Sequence, residues 1–162
     1  MPRITPNLWF DTQAEEAAGF YVALFPNSRI TNVSHYGPDG PRAGTVLTVD
    51  FSLDGQPYTA INGGPEFSFT EAVSLLINCA DQDEVDHYWA ALVAEGEPGQ
   101  CGWLKDRYGL SWQVVPAELG RALGDPDPVR ARRAMKALLG MSRIDLAELR
   151  AAMDDPATDD PH

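Results

Sequence analysis

Basic side chains are scarce in this sequence. Twelve Lys and Arg stand against 24 Asp and Glu, which gives the 162 residues a net charge of −12. A surface that binds nucleic acid needs clustered Lys and Arg to neutralise phosphates, so the composition excludes nucleic acid as a partner. The basic cluster of Arg130, Arg132, Arg133 and Lys136 falls on a predicted helix. In so acidic a chain we interpret this cluster as solvated surface.

Cysteine and long apolar runs are also rare. Cys79 and Cys101 are the two cysteines, too few for the disulfide framework of a secreted protein, so free thiols are expected. No apolar run approaches the roughly 20 residues that a membrane span requires. The N-terminus has neither the basic nor the apolar region of a signal peptide. We therefore expect a cytoplasmic protein without a membrane partner.

The remaining composition is that of a globular protein, with 44% hydrophobic and 22% charged residues. A strand over 4–10 precedes a helix over 13–25, which Asp11 or Thr12 can cap. Three strands are predicted next, over 29–36, 44–53 and 56–62. Asp54-Gly55, between the last two, is a strong hairpin signal. This order describes one βαβββ unit.

The same order then repeats. A strand over 72–79 leads to a helix over 82–95, with Asp81 as its cap and Gly96 at its end. Strands follow near 97–99, 100–105 and 110–115, the last two joined by a turn from Asp106 to Gly109. Phe20-Tyr21 and Tyr88-Trp89 occupy equivalent helix positions 68 residues apart. We expect an α+β fold of tandem βαβββ modules.

Two C-terminal helices are predicted near 128–139 and 144–153, with Asp145 in the first turn of the second. The expected organisation has four parts. These are a first module over 1–66, a second module over 67–120, C-terminal helices over 121–153 and a frayed acidic tail over 154–162.

Many separate motifs in this order resemble the PhnB-like family of the vicinal oxygen chelate superfamily, whose members include glyoxalase I and bleomycin-resistance proteins. The motifs are Trp9-Phe10-Asp11, Phe25-Pro26-Asn27, Asn62-Gly63-Gly64-Pro65, Asp81-Gln82-Asp83-Glu84-Val85, Cys101-Gly102-Trp103, Tyr108-Gly109-Leu110-Ser111-Trp112-Gln113 and Met141 to Leu149. The resemblance implies a glyoxalase-like fold in which two curved sheets enclose a cavity for a small-molecule ligand. It also implies a homodimer.

Enzymes of that superfamily commonly hold a divalent ion through four ligands, mostly His and Glu. The resemblance places these positions at Pro6 or a neighbour (Thr5 or Asn7), at Thr59 or Asn62, at Ser74 and at Gln113. These candidates carry no anionic group, and neutral hydroxyls and amides compensate a divalent charge poorly. His35, His87 and His162 have no His or Glu at metal-ligand spacing. We expect neither a metal nor another cofactor.

The candidate ligand-binding residues are Trp9, Asn62, Ser74, Cys101, Trp103 and Gln113. Four of them also have a structural interpretation: the two tryptophans as core, Cys101 as an inert buried thiol, and Gln113 as a satisfied group in the sheet. By strand alternation Gln113 shares a face with Ser111 and Val115. Lys105 and Asp106 are interpreted as exposed turn residues, with Asp106 accepting hydrogen bonds from nearby backbone N–H groups.

The resemblance and the missing ligands favour a small-molecule-binding protein without a catalytic metal. One alternative is a metal-dependent lyase, isomerase or dioxygenase with atypical ligands. A second alternative is a methyltransferase, since the family often carries the label 3-demethylubiquinone-9 3-methyltransferase. The sequence disfavours it, because no Gly-rich turn follows the first strand.

Overall fold

The first unit of the chain is a four-stranded sheet with one helix. A computed structural model describes residues 2–159 and divides the chain into two compact units, residues 1–69 and 70–162. The elements of the first unit are β1 (Asn7–Phe10), α1 (Ala14–Leu24), β2 (Arg29–His35), β3 (Val46–Leu53) and β4 (Gln56–Asn62). The strand order is β1-β4-β3-β2, in which β1 runs parallel to β4 and the other pairs are antiparallel.

The second unit repeats this arrangement. Its elements are β5 (Ser74–Cys79), α2 (Gln82–Val93), β6 (Glu97–Pro98), β7 (Trp103–Lys105) and β8 (Ser111–Pro116). The strand order is β5-β8-β7-β6, again with the first strand parallel to the last. The helices α1 and α2 begin 68 residues apart, as the sequence repeat predicts. The α+β fold of tandem βαβββ modules is confirmed.

In each unit one sheet face is buried and the other is not. Leu8, Phe10, Val49, Phe51 and Ala60 are buried on the first sheet and alternate along their strands with more exposed residues. Ile77, Leu104, Trp112 and Val114 do the same on the second sheet. Because strand side chains alternate between faces, the less buried residues form a second, open face on each sheet.

The N-terminus of α1 is capped from a distant strand. Neither Asp11 nor Thr12 caps it: the N-cap residue is Gln13, whose side chain makes no cap hydrogen bond. Instead, the Ala14 N–H donates to Oδ1 of Asn62 at the end of β4, over 2.8 Å. The predicted local cap is therefore wrong, because the parallel pairing of β1 with β4 brings Asn62 to the start of the helix.

The cap of α2 is local, as predicted, since Asp81 accepts a hydrogen bond from the Glu84 N–H. The end of α2 differs from the prediction. The left-handed backbone conformation lies at Glu95, with φ 60°, and not at Gly96. Gly96 is needed for a different reason, since a Cβ there would overlap the Lys105 carbonyl on β7.

Three helices follow the second sheet, where the sequence predicted two. Helix α3 (Ala117–Leu123) continues directly from β8, and α4 (Pro128–Leu139) and α5 (Leu146–Asp154) follow it. Asp145 precedes α5 as its N-cap, accepting from the Glu148 N–H, so it is not in the first turn. The missed helix α3 is only seven residues long and has no side-chain cap. The helices share an apolar core that contains Leu119, Ala134, Leu138, Met141, Ile144, Leu149 and Met153.

The acidic tail has regular secondary structure as far as Asp159. Asp154, where the predicted tail begins, ends α5, and Pro156–Asp159 form a 3-10 helix. Arg133 of α4 pairs with Asp159 over 2.6 Å, and Lys136 donates to the Thr158 carbonyl. Part of the basic cluster thus holds the tail. Residues 160–162, which include His162, lie outside the described part of the chain.

Of the helices within residues 2–159, none combines the length and the apolar character that crossing a membrane would need.

Substitution of Asn62 is expected to destabilise the protein strongly. Its side chain is 7% exposed, accepts from Ala14 and donates to the Val46 carbonyl over 3.1 Å. Asn62→Ala leaves both partners unpaired inside the protein, which should lower the free energy of unfolding by about 2 to 3 kcal/mol. Chemical denaturation measures this. The exposed Asn7 of β1 provides the control: an Asn7→Ala loss of equal size would contradict the interpretation.

Candidate functional site

The open face of the second sheet carries half of the candidate residues. On β5 it presents Ser74, Leu76 and Asn78, on β8 Ser111, Gln113 and Val115, and on β7 Trp103 and Lys105. Leu76 is 49% exposed. An exposed leucine among hydroxyl, amide and indole groups is a surface with both apolar and hydrogen-bonding character.

Ser74 and Gln113 are in direct contact on this face. Gln113 Nε2 donates to Ser74 Oγ over 2.9 Å, and both side chains are partly buried. This bond does not use the Ser74 hydroxyl hydrogen, the second Nε2 hydrogen or the carbonyl oxygen of Gln113, so the pair can both donate and accept. Trp103 lies directly opposite Gln113 in the antiparallel pairing of β7 with β8. The structure therefore brings three of the six candidates together.

Lys105 is the cation of this group, and it is already paired. Its Nζ lies 2.7 Å from Oε1 of Glu71, which precedes β5. The ion pair lowers the pKa of Glu71 and raises the pKa of Lys105, first through the hydrogen bond between the two side chains and then through their opposite charges. Glu97 on β6 lies opposite Lys105 and adds a second carboxylate near it.

Asp106 fixes the hairpin that presents Trp103 and Gln113. It is 3% exposed, so its predicted exposure is wrong. Its carboxylate accepts from the backbone N–H groups of Tyr108 and Leu110, as predicted, and also from Trp112 Nε1 over 2.9 Å. Because these donors come from the turn and from β8, the buried carboxylate holds the β7–β8 register. This is a positioning role.

Trp9 lies on the first sheet and is held by the segment that follows β4. Its Nε1 donates to the Gly64 carbonyl over 3.0 Å, and its ring meets Phe67 edge-on at a centroid distance of 5.0 Å. A Cβ at Gly63 would overlap the indole ring. Gly63 therefore serves the close approach of the tryptophan.

Asn62 and Cys101 are engaged elsewhere. Asn62 faces the core and caps α1. Cys101 lies in the loop before β7, where its thiol donates to the Leu138 carbonyl over 3.4 Å and packs against the core of α3, α4 and α5. Neither side chain is placed on an open sheet face. Both candidates have structural contacts that account for them.

The strand registers resolve the alternatives left for the first module. Phe10–Asn62 is the last pair in the parallel pairing of β1 with β4, and Cys79–Pro116 is the last pair in that of β5 with β8. All four residues are buried. Counting back along the strands, Thr59 corresponds to Gln113 and Thr5 corresponds to Ser74. Pro6 and Asn62 therefore do not correspond to Ser74 and Gln113 of the second module.

Asp50 is an open-face residue that sequence analysis missed. Its carboxylate accepts from Thr59 Oγ1 over 2.8 Å and from Asn32 Nδ2 over 3.4 Å. The signal was present in the alternation of β3, where Val49, Phe51 and Leu53 are buried and Asp50 faces the other way. Thr59 is thus bonded to a carboxylate, while Gln113 is bonded to a hydroxyl.

Comparison with known proteins places this geometry in a family. Residues 2–115 match the model of a family described as 3-demethylubiquinone-9 3-methyltransferase. A PhnB protein from Bacillus cereus is 36% identical, with a TM-score of 0.67, over 72% of this chain and 100% of that one. The chain belongs to this PhnB-like family. The resemblance to it is confirmed.

A second solved structure is similar to this PhnB-like chain in fold alone. Protein PA1353 from Pseudomonas aeruginosa is 17% identical, with a TM-score of 0.61, over 72% of this chain and 98% of that one. No protein of curated function matches the sequence. The family match ends at residue 115, one residue before the end of β8, so α3, α4 and α5 follow the matched region.

The residues of this PhnB-like protein do not fit a catalytic divalent ion. The equivalent positions are Thr5, Thr59, Ser74 and Gln113, and all four are neutral. Asp50 is a single carboxylate and already accepts two hydrogen bonds. Within residues 2–159, no three His, Cys, Asp or Glu side chains gather at metal-binding distance. A Lewis-acid site needs more anionic or imidazole ligands than this set supplies.

The two thiols should differ in reactivity. Cys79 is 1% exposed, and burial, with a contribution from the Glu84 carboxylate, raises its pKa to about 11. Because the thiolate is the reactive form, Cys79 should not react with Ellman's reagent in the folded protein. Partly buried Cys101 should account for all native reactivity. Cys101→Ser should abolish the reaction and Cys79→Ser should preserve it; the reverse pattern would contradict the assignment.

Proposed function

We propose that this PhnB-like protein binds a small molecule on the open face of its second sheet and does so without a catalytic metal. The second sheet supplies the polar contacts through Ser74 and Gln113, and Trp103 supplies an aromatic surface beside them. Trp9, partly buried on the open face of the first sheet, stays a separate candidate for ligand binding. Pockets for small molecules combine such apolar walls with a few placed polar groups.

One observation carries this proposal: the hydrogen bond from Gln113 Nε2 to Ser74 Oγ. The resemblance assigns a metal ligand to both positions, and here two neutral side chains occupy them and bond to each other. An amide coordinates a cation through its carbonyl oxygen, and a neutral carbonyl and hydroxyl compensate a divalent charge poorly. The arrangement supports a hydrogen-bonding site for an organic ligand.

The methyltransferase description of the family has less support from the chain itself. A Gly-rich turn after the first strand is the usual means of holding the cofactor S-adenosylmethionine (SAM). The segment between β1 and α1 is Asp11-Thr12-Gln13 and has no glycine. Both sheets are mixed four-stranded sheets of the βαβββ order and not alternating α/β sheets.

Metal analysis of the purified protein tests the proposal. We expect substoichiometric metal, and no rise in melting temperature on addition of Ni²⁺, Zn²⁺ or Mn²⁺, because the neutral donor set offers little affinity. Calorimetry with SAM should show no binding in the micromolar range. A stoichiometric metal whose loss accompanies Gln113→Ala would favour the enzyme with atypical ligands. Micromolar SAM binding would favour the methyltransferase.

We also propose that the protein acts as a homodimer, as the resemblance implies, and that it does so in the cytoplasm, as its composition leads us to expect. Met135 and Leu139 lie four residues apart on α4 and are 44% and 64% exposed. This apolar pair is available for a contact between two copies.

A further inference from the structure

The Ser111 hydroxyl is a buried polar group without a partner. Ser111 is 1% exposed, and among the described residues its Oγ is the buried side-chain atom that makes no hydrogen bond within the protein. Buried polar atoms are nearly always paired, since leaving one unpaired costs stability. An alanine would fill this position without that cost. The hydroxyl therefore points to a partner outside the chain.

Ser111 lies at the centre of the polar group described above. It is in register with Ser74 on β5 and with Lys105 on β7, the two strands that flank β8. It is two residues from Gln113 on the same strand, so its side chain shares the face of the Ser74–Gln113 bond.

The ion pair between Lys105 and Glu71 crosses the sheet at this point. Lys105 is on β7 and Glu71 precedes β5, while β8 runs between these strands. Ser111 is the β8 residue in register with Lys105, so a bridge from Lys105 to the segment before β5 spans β8 beside it. The side chains of Lys105 and Glu71 are 36% and 62% exposed. Exposed ion pairs contribute little to stability and open readily. We therefore treat the Lys105–Glu71 pair as a cover over Ser111 that can open.

The charges around Ser111 select a neutral ligand. Glu71 already balances Lys105, and Glu97 lies opposite Lys105 on β6. An added carboxylate or phosphate would meet this excess of negative charge in a protein of net charge −12. The hydroxyls of Ser111 and Ser74 can donate to a carbonyl oxygen. Trp103, opposite Gln113, offers a flat face to an aromatic ring.

We propose that Ser111 is a ligand-anchoring residue that donates to the carbonyl oxygen of a neutral aromatic carbonyl compound once the Lys105–Glu71 pair opens. This inference rests on the proposed function and names its ligand class. It also explains why a serine occupies a buried position where the described residues supply no partner.

Binding of benzamide to the ¹⁵N-labelled full chain tests the inference, with benzoate as the charged probe of the same shape. Benzamide should shift the Trp103 indole and Gln113 side-chain resonances with a low-millimolar Kd, as expected of so small a ligand. Benzoate should bind at least tenfold more weakly. Ser111→Ala should weaken benzamide binding at least tenfold, yet raise the melting temperature of the ligand-free protein by about 2 to 4 °C.

Three further variants complete the test, of which Ser142→Ala and Arg107→Gln are the controls. Ser142 is a serine whose hydroxyl donates to the Gly99 carbonyl, so Ser142→Ala should lower the melting temperature and leave the benzamide Kd unchanged. Glu71→Gln weakens the cover over Ser111 and should lower the benzamide Kd. Arg107→Gln breaks the exposed Arg107–Glu95 pair of the same unit and should not change it.

The outcomes separate the inference from the proposed function. Benzamide shifts at Trp103 and Gln113 that Ser111→Ala leaves unchanged would overturn the role of Ser111 while supporting a ligand site on this face. Tighter binding of benzoate would overturn the neutral ligand class. Absence of shifts with either probe would overturn the inference, and the metal and SAM measurements would still decide the proposed function independently.

Discussion

The parallel pairing of the first strand with the last strand of each unit is the constraint on which the other features depend. In the first unit it brings Asn62 to the start of α1, where its side chain replaces a local cap. The corresponding residue of the second unit is Pro116, which has no side-chain hydrogen-bonding group. There α2 relies on Asp81. The helices of the two modules are thus capped differently, α1 by the distant Asn62 and α2 by the neighbouring Asp81.

The same pairing assembles the candidate site. It sets β5 beside β8, so Ser74 meets Gln113, and it places Ser111 between Ser74 and Lys105. Asp106 then holds β7 against β8 from the buried side of the hairpin. The open face therefore combines neutral hydrogen-bonding groups with one internally balanced charge pair. That chemistry suits an organic ligand better than a divalent ion.

Periodicity and turn signals predicted most elements, because α2, β4 and the Asp54-Gly55 hairpin are specified by neighbouring residues. The family resemblance placed Ser74 and Gln113 among the candidate residues, but their hydrogen bond was not predicted. The Asn62 cap left no local signal, since its partner is 48 residues away. Helix α3 was missed because it is short, and the 3-10 helix after α5 because it depends on ion pairs with α4.

The central claim is that Ser74 and Gln113 bond to each other and do not hold a metal. The most direct measurement follows the side-chain amide resonances of Gln113 in the ¹⁵N-labelled protein while Mn²⁺, a paramagnetic ion, is added. A bound Mn²⁺ would broaden these resonances beyond detection. The structure predicts that they persist at equimolar Mn²⁺, because the amide donates to Ser74 Oγ and the surrounding donors are neutral. Their selective loss at equimolar Mn²⁺ would contradict this account.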